Sequence, residues 1–301
     1  MTQFGKHIMP HASPITGKTK IVGVIGDPVE HSRSPQMHNA AFVELGMDYV
    51  YVPFHVRPEV LRPAIEGFKA IGVVGINVTL PHKQSVIPCV DTISREAELI
   101  GAVNTLIFKD GKIAGDNTDA PGFLQAMGEA GFDVPRGASA VVIGAGGSAR
   151  AIVVAIALAG LGSVVIVNRT VSKAVALAAD LSEKTGVPIV GVGLEDARLP
   201  NAVGSSRLIV NTASASMDAS HPLLIRPEWL DSQSILYDII YTPPETRLMR
   251  AAAERGCHTI GGLGMLVHQG AIAFEKWTKI TPPVETMRKA LQQALNQTFT
   301  R

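Results

Sequence analysis

SAVVIGAGGSARAIVVAIAL, residues 139–158, is the stretch on which the fold turns. An apolar run of strand length, 139–143, stops at Gly144, and an apolar run of helix length, 150–159, follows. Between them Gly144, Gly146 and Ala149 stand at the three key places of a glycine-rich turn. Such a turn needs one glycine to bend sharply, a second to let backbone N–H groups approach a pyrophosphate, and a small third residue to pack the helix closely. A loop that merely needs positive φ would also use glycines, but strand before and helix after favour a dinucleotide site. Ala145, Gly147 and Ser148 complete the expected cofactor loop.

The next apolar run, SVVIVNRT at 163–170, ends about 20 residues after the glycines, where an NAD enzyme places an acid on the ribose 2′-hydroxyl. Asn168, Arg169 and Thr170 stand there, with Lys173 just beyond. An acid would repel a 2′-phosphate, whereas Arg169 and Lys173 offer it charge-assisted hydrogen bonds. The expected cofactor is therefore NADP. As a plain solvated helix start, the same two cations would carry no such meaning.

Working outward, short apolar runs alternate with helix-like segments, the pattern of sheets covered by helices. Strands are expected at 21–26, 49–54 and 73–80, helices at 35–45 and around 58–70, and a further helix at 122–130 after Pro121, which places a domain boundary near residue 121. The 301 residues exceed what one core usually organises, so two domains are expected. With 46% hydrophobic residues, 18% charged and a net charge of +1, the chain can bury large cores and has no global charge to attract nucleic acid. Cys89 and Cys257 lie far apart, and with the nine histidines they form no metal-ligand spacing, so no metal is expected. Residues 1–20 lack an apolar h-region and read as a loose leader, which argues for a cytoplasmic protein. The run 151–167 is broken by Gly160 and Gly162 and reads as a buried helix and strand rather than a membrane span. Long loops are expected at 211–222 and 241–245.

The other half of the chain carries polar clusters at expected helix and strand ends. His31-Ser32-Arg33-Ser34-Pro35 precedes a helix, and its two serine hydroxyls beside free helix N–H groups suit a carboxylate, although one serine alone could simply cap the helix. Asn77, Thr79 and Lys83 leave a strand end, where ligands of α/β sheets bind. Asn104 in GAVNTL and Asp119 in GDNTDA add an amide and a carboxylate. Lys83 and Asp119 could equally form a surface ion pair.

PVEHSRSPQMHN, GINVTLPHK, GAVNTL, GDNTDA, VIGAGGSAR, NRT and GGLGMLVHQGA occur in the order found in shikimate dehydrogenases, and the chain resembles that family over nearly everything beyond residue 20. The resemblance implies an α/β protein of two domains: a mixed-sheet substrate domain, 21–121 joined by 265–301, and a Rossmann-like NADP-binding domain, 122–264. It implies interconversion of 3-dehydroshikimate and shikimate, in the biosynthesis of chorismate and the aromatic amino acids. It puts the carboxylate on Ser32 and Ser34, and the ring hydroxyls among Asn77, Thr79, Lys83, Asn104, Asp119 and Gln269, with Tyr241 also touching substrate. Lys83 and Asp119 are the implied catalytic pair, and Ala213, Ile239, Gly262 and Met265 join the implied cofactor site. Lys83 would supply a proton to the developing alkoxide and take it back in oxidation, a direction that alkaline conditions favour.

The sequence departs from the family pattern at Ala213, where a Thr or Ser is usual, and at Ser216, where Gly is usual, which bears on the nicotinamide end. Two other readings compete: a quinate/shikimate dehydrogenase that can use NAD, and a non-catalytic NADP-responsive binding protein. Retention of both Lys83 and Asp119 disfavours the second. The expected partner is a small molecule, with neither nucleic acid nor membrane, and a homodimer is the assembly considered.

Overall fold

The computed structural model describes residues 15–213 and 222–298. Ser216 and most of the expected leader lie outside them. Of the leader's last residues, Thr19 donates to Asp48 Oδ1 at 2.6 Å, and Lys20 already belongs to the first strand.

The chain forms two six-stranded sheets. The first contains β1 (Lys20–Gly26), β2 (Tyr49–His55), β3 (Gly75–Val78), β4 (Thr92–Ile93), β5 (Thr105–Lys109) and β6 (Lys112–Asp116), in the order β2-β1-β3-β5-β6-β4. It is mixed: β1 runs parallel to β2 and β3, whereas β5 is antiparallel to both β3 and β6. β1 alternates as a strand must, with Val22 and Val24 entering one core and Ile25 the other. On the first face lie α1 (Ser34–Glu44) and two C-terminal helices, α9 (Leu263–Thr278) and α10 (Val284–Thr298), through Met37, Phe42, Phe274, Trp277, Met287 and Leu291. On the other lies α2 (Leu61–Ala70), whose Leu61, Ile65 and Phe68 recur at helical spacing. Only three residues, Pro58–Val60, of the expected helix around 58–70 form a separate 3-10 turn.

The second sheet contains β7 (Ser139–Ile143), β8 (Ser163–Val167), β9 (Ile189–Val192), β10 (Leu208–Asn211), β11 (Ile235–Asp238) and β12 (His258–Gly261). Its pairings are all parallel, in the order β12-β11-β10-β7-β8-β9. This is the doubly wound dinucleotide-binding order, with its reversal between β7 and β10. The helix α5 (Gly147–Leu158) is buried along Ala151–Ala157 and packs with α6 (Val171–Thr185) on one face. The shorter α7 (Leu199–Ser205) and α8 (Arg247–Glu254) cover the other. The run 151–167 is thus a buried helix and strand. No helix among the described residues is long and apolar enough to cross a membrane.

Helix α4 (Asp119–Glu129) carries the chain from the first sheet to the second, so position 121 falls within its first turn. Pro121 reads as a breaker in the sequence, but in a first turn its missing N–H costs nothing, because that donor has no partner within a helix. The helix therefore starts at Asp119 rather than Gly122. Return packing of α9 is tight: Trp277 donates to Leu106 O at 3.0 Å, and a Cβ on Gly75 would lie 2.0 Å from Trp277 Nε1.

His38, fully buried on α1, stacks on Tyr51 at 4.4 Å with an interplanar angle of 3°. Neither ring nitrogen has a hydrogen-bond partner among the described residues, and burial pushes the imidazole down to about 3 from its ordinary 6.5. Between those values the unfolded chain binds this proton and the folded chain does not, so stability is lost as pH falls through that window. In urea titrations His38→Phe is expected to lose less stability than the parent between pH 7 and pH 5; an identical loss would assign the acid sensitivity elsewhere.

Candidate active site

A cavity of about 500 Å³ opens between the carboxyl ends of β1 and β3 and those of the second sheet. Ser32, Ser34, Asn77, Thr79, Lys83, Asn104, Asp119, Tyr241 and Gln269 all line it. Ser34 opens α1, and Ser32 Oγ accepts the Ser34 N–H at 3.4 Å, with no side-chain cap on the helix itself. Asn77 is the last but one residue of β3, Lys83 sits on the turn after cis Pro81, and Asn104 immediately precedes β5.

Lys83 Nζ donates to Asp119 Oδ2 at 2.5 Å, and the two side chains keep only 12% and 6% of their exposure. The alternative of a surface ion pair is thereby removed. Asn104 Nδ2 donates to Asp119 Oδ1 at 2.9 Å, so both carboxylate oxygens are engaged. Asn117 Oδ1 accepts the Asp119 N–H at 3.0 Å and its amide donates to Ala102 O, which pins the helix start. Burying an ion pair costs desolvation that its own attraction need not recover. Such a pair, held in a cavity beside amides and hydroxyls, is suited to proton transfer and to binding a hydroxyl.

The glycine loop meets this cluster. Lys83 Nζ also donates to Ser148 Oγ at 3.3 Å, and a Cβ on Gly147 would lie 3.0 Å from the lysine stem. Gly144 has φ +113°, and a Cβ there would come within 2.3 Å of Thr212 Oγ1, so both the backbone and the neighbour require glycine. Thr212 Oγ1 in turn donates to Ile143 O at 2.7 Å across the β7–β10 reversal. A Cβ on Gly146 would meet nothing, and α5 begins without a side-chain cap or an acidic residue in its first turn. Open backbone before uncapped N–H groups fits a dinucleotide pyrophosphate.

Arg169, Thr170 and Lys173 are exposed just past β8, beside the loop, where Gly144 N donates to Val167 O at 2.7 Å. Asn168 turns back to donate to Thr170 O. Of the other cofactor candidates, Ser148, Ile239, Gly262 and Met265 line the cavity, whereas Ala213 is not in its lining and packs against the core of the second sheet. Burial raises the Tyr241 phenol above its usual range, with the Arg33 charge opposing. Behind the Ile239–Thr246 loop, buried Asp238 accepts from Asn211 Nδ2, Thr246 Oγ1 and Ile240 N, and burial pushes its carboxyl up against those bonds. Thr212, Thr242 and Asp27 also line the cavity, as does His31 at the head of the serine motif. Asp27 and Thr212 directly follow β1 and β10, and that position is their sequence signal.

Residues 24–106 match a model described as the shikimate dehydrogenase substrate binding domain, residues 127–198 the shikimate / quinate 5-dehydrogenase model, and residues 262–292 the shikimate 5'-dehydrogenase C-terminal domain. A shikimate dehydrogenase (NADP(+)) from Methanopyrus kandleri is 46% identical, covering 93% of this chain and 98% of the relative. The chain belongs to the shikimate dehydrogenase family. A crystal structure of a shikimate dehydrogenase in complex with NADP+ superposes with a TM-score of 0.87 at 41% identity, over 95% of this chain and 99% of the other. A shikimate 5-dehydrogenase from Listeria monocytogenes, solved with shikimate and NAD, gives 0.85 at 37% identity over 93% and 99%. The two-sheet architecture, mixed then doubly wound, is that of the family.

Proposed function

We propose that this chain is an NADP-dependent oxidoreductase that interconverts 3-dehydroshikimate and shikimate, with Lys83 as proton donor and acceptor. The observation that carries the reading is the buried Lys83–Asp119 pair, set in a cavity with the two serines and touching Ser148 of the glycine loop. Residues 21–121 with 265–301 form the substrate half in this reading, and 122–264 the NADP half, acting in the cytoplasm within aromatic amino acid biosynthesis.

Ser32 and Ser34 bind the carboxylate by neutral donors at the start of α1, without a charge that would hold the product too tightly. Asn77, Thr79, Asn104, Tyr241 and Gln269 surround the ring, and Asp119 orients Lys83 while accepting from a ring hydroxyl. Gly144–Ala149 would hold the cofactor pyrophosphate and Arg169 with Lys173 the 2′-phosphate, while Ile239, Gly262 and Met265 flank the nicotinamide end. When bound, NADPH supplies hydride to the substrate carbonyl. Lys83 Nζ stabilises the developing negative charge on the carbonyl oxygen and delivers the proton; in the reverse direction it removes the hydroxyl proton.

The test is a rate assay on reduced nicotinamide, with shikimate and quinate each offered with NADP+ and NAD+. Turnover confined to shikimate with NADP+ is expected. Comparable quinate or NAD+ turnover would move the chain to the quinate/shikimate branch, and NADPH binding without turnover to a sensor.

A further inference from the structure

Tyr51 lies on β2, outside every motif of the sequence, and is 2% exposed without lining the cavity. Its placement is closely determined. The Asn39 side chain accepts the Tyr51 N–H at 2.8 Å and donates to Tyr51 O at 3.0 Å, clamping the free edge of the strand. The ring is stacked on His38 and lies 6.2 Å from Trp277, centroid to centroid. Phenylalanine would serve that packing equally well, so the hydroxyl needs a separate account, because a buried hydroxyl is costly unless bonded.

That hydroxyl donates to Asn77 Oδ1 at 2.8 Å. Asn77 lines the cavity, so the phenol acts on that lining from behind. With Oδ1 taken by the phenol, Asn77 Nδ2 points to Thr105 Oγ1 at 3.2 Å and Asn104 O at 3.3 Å. A flipped amide would set its oxygen against the Asn104 carbonyl oxygen. Thr105 Oγ1 donates onward to Asn104 Oδ1 at 2.9 Å, and Asn104 holds Asp119, so the chain of bonds runs from Tyr51 to the Lys83–Asp119 pair. Burial raises the phenol well above its usual range, so it stays a donor through the neutral and alkaline range.

We infer that Tyr51 is a positioning residue for substrate, its hydroxyl fixing the orientation of the Asn77 amide in the cavity wall. The inference rests on the proposed reading of the cavity as the shikimate site. Tyr51 acts from behind the cavity lining, through residues that touch substrate.

Tyr51→Phe keeps the stack and deletes the hydroxyl. It is expected to raise the KM for shikimate roughly 3- to 30-fold, while kcat and the KM for NADP+ change by less than about 2-fold. A structural lesion would instead move both KM values together. In the double variant with Asn77→Ala, the combined loss in kcat/KM is expected to fall short of the product of the two single losses, because the phenol has nothing left to orient. NADPH binding and the melting midpoint confirm that each variant is folded. A parent chain that turns shikimate over, with Tyr51→Phe unchanged in KM or with fully multiplicative losses, overturns the inference alone. A parent chain inert toward shikimate overturns the proposed function and this inference together.

Discussion

Lys83→Ala is expected to lower kcat by roughly 10²–10⁴, the range of general acid–base catalysis, with a much smaller change in the KM for shikimate. The asymmetry follows from the geometry. Lys83 Nζ donates to Asp119 and Ser148 and not to the serines or Asn77, so those ground-state contacts survive, whereas the only ammonium among the described cavity-lining residues is removed. The substitution also leaves Asp119 buried without its cation. Asn104 Nδ2 still donates to it, and a modest fall in melting midpoint is expected as the carboxylate loses its charge partner. Steady-state kinetics with NADPH binding measured in parallel separate the two effects. Near-normal turnover in a folded, NADPH-binding variant would remove Lys83 from the mechanism.

Arg169→Asp is the second large effect, and it falls on the cofactor alone. Arg169 is exposed beyond the end of β8, away from the cavity lining, and among the described residues no carboxylate pairs with it or with Lys173. Helix α6 opens without an acid in its first turn, so nothing there competes for a phosphate. Charge-assisted bonds are worth about 1.5–3 kcal/mol each, so the ratio of kcat/KM for NADPH over NADH is expected to fall roughly 10- to 1000-fold. The KM for shikimate is expected to hold. An unchanged cofactor ratio would place the 2′-phosphate elsewhere.

Local chemistry made much of the site legible. Glycines at 144 and 146, cations after β8 and polar residues at strand ends are short-range signals, each tied to a turn or a terminus a few residues long. Pro121 hides the start of α4 in the sequence, although a first-turn proline is compatible with a helix, and the structure puts Asp119 on the helix itself. Tyr51 carries no signal, since a tyrosine in an alternating strand is an ordinary residue until its partner arrives from a distant segment.

The sequence by itself determined the layer type, the glycine turn with its cations, the family resemblance and the residue types at each strand end, because periodicity and turn chemistry depend on neighbours along the chain. Only the tertiary structure decided that Lys83 and Asp119 are buried rather than exposed, that Ser148 of one sheet's loop reaches Lys83 of the other's, and that the Tyr51 hydroxyl holds Asn77. Burial and long-range hydrogen bonds are set by which segments the two sheets and the returning α9 bring together, and that information is carried by the whole packed chain rather than by any stretch of it.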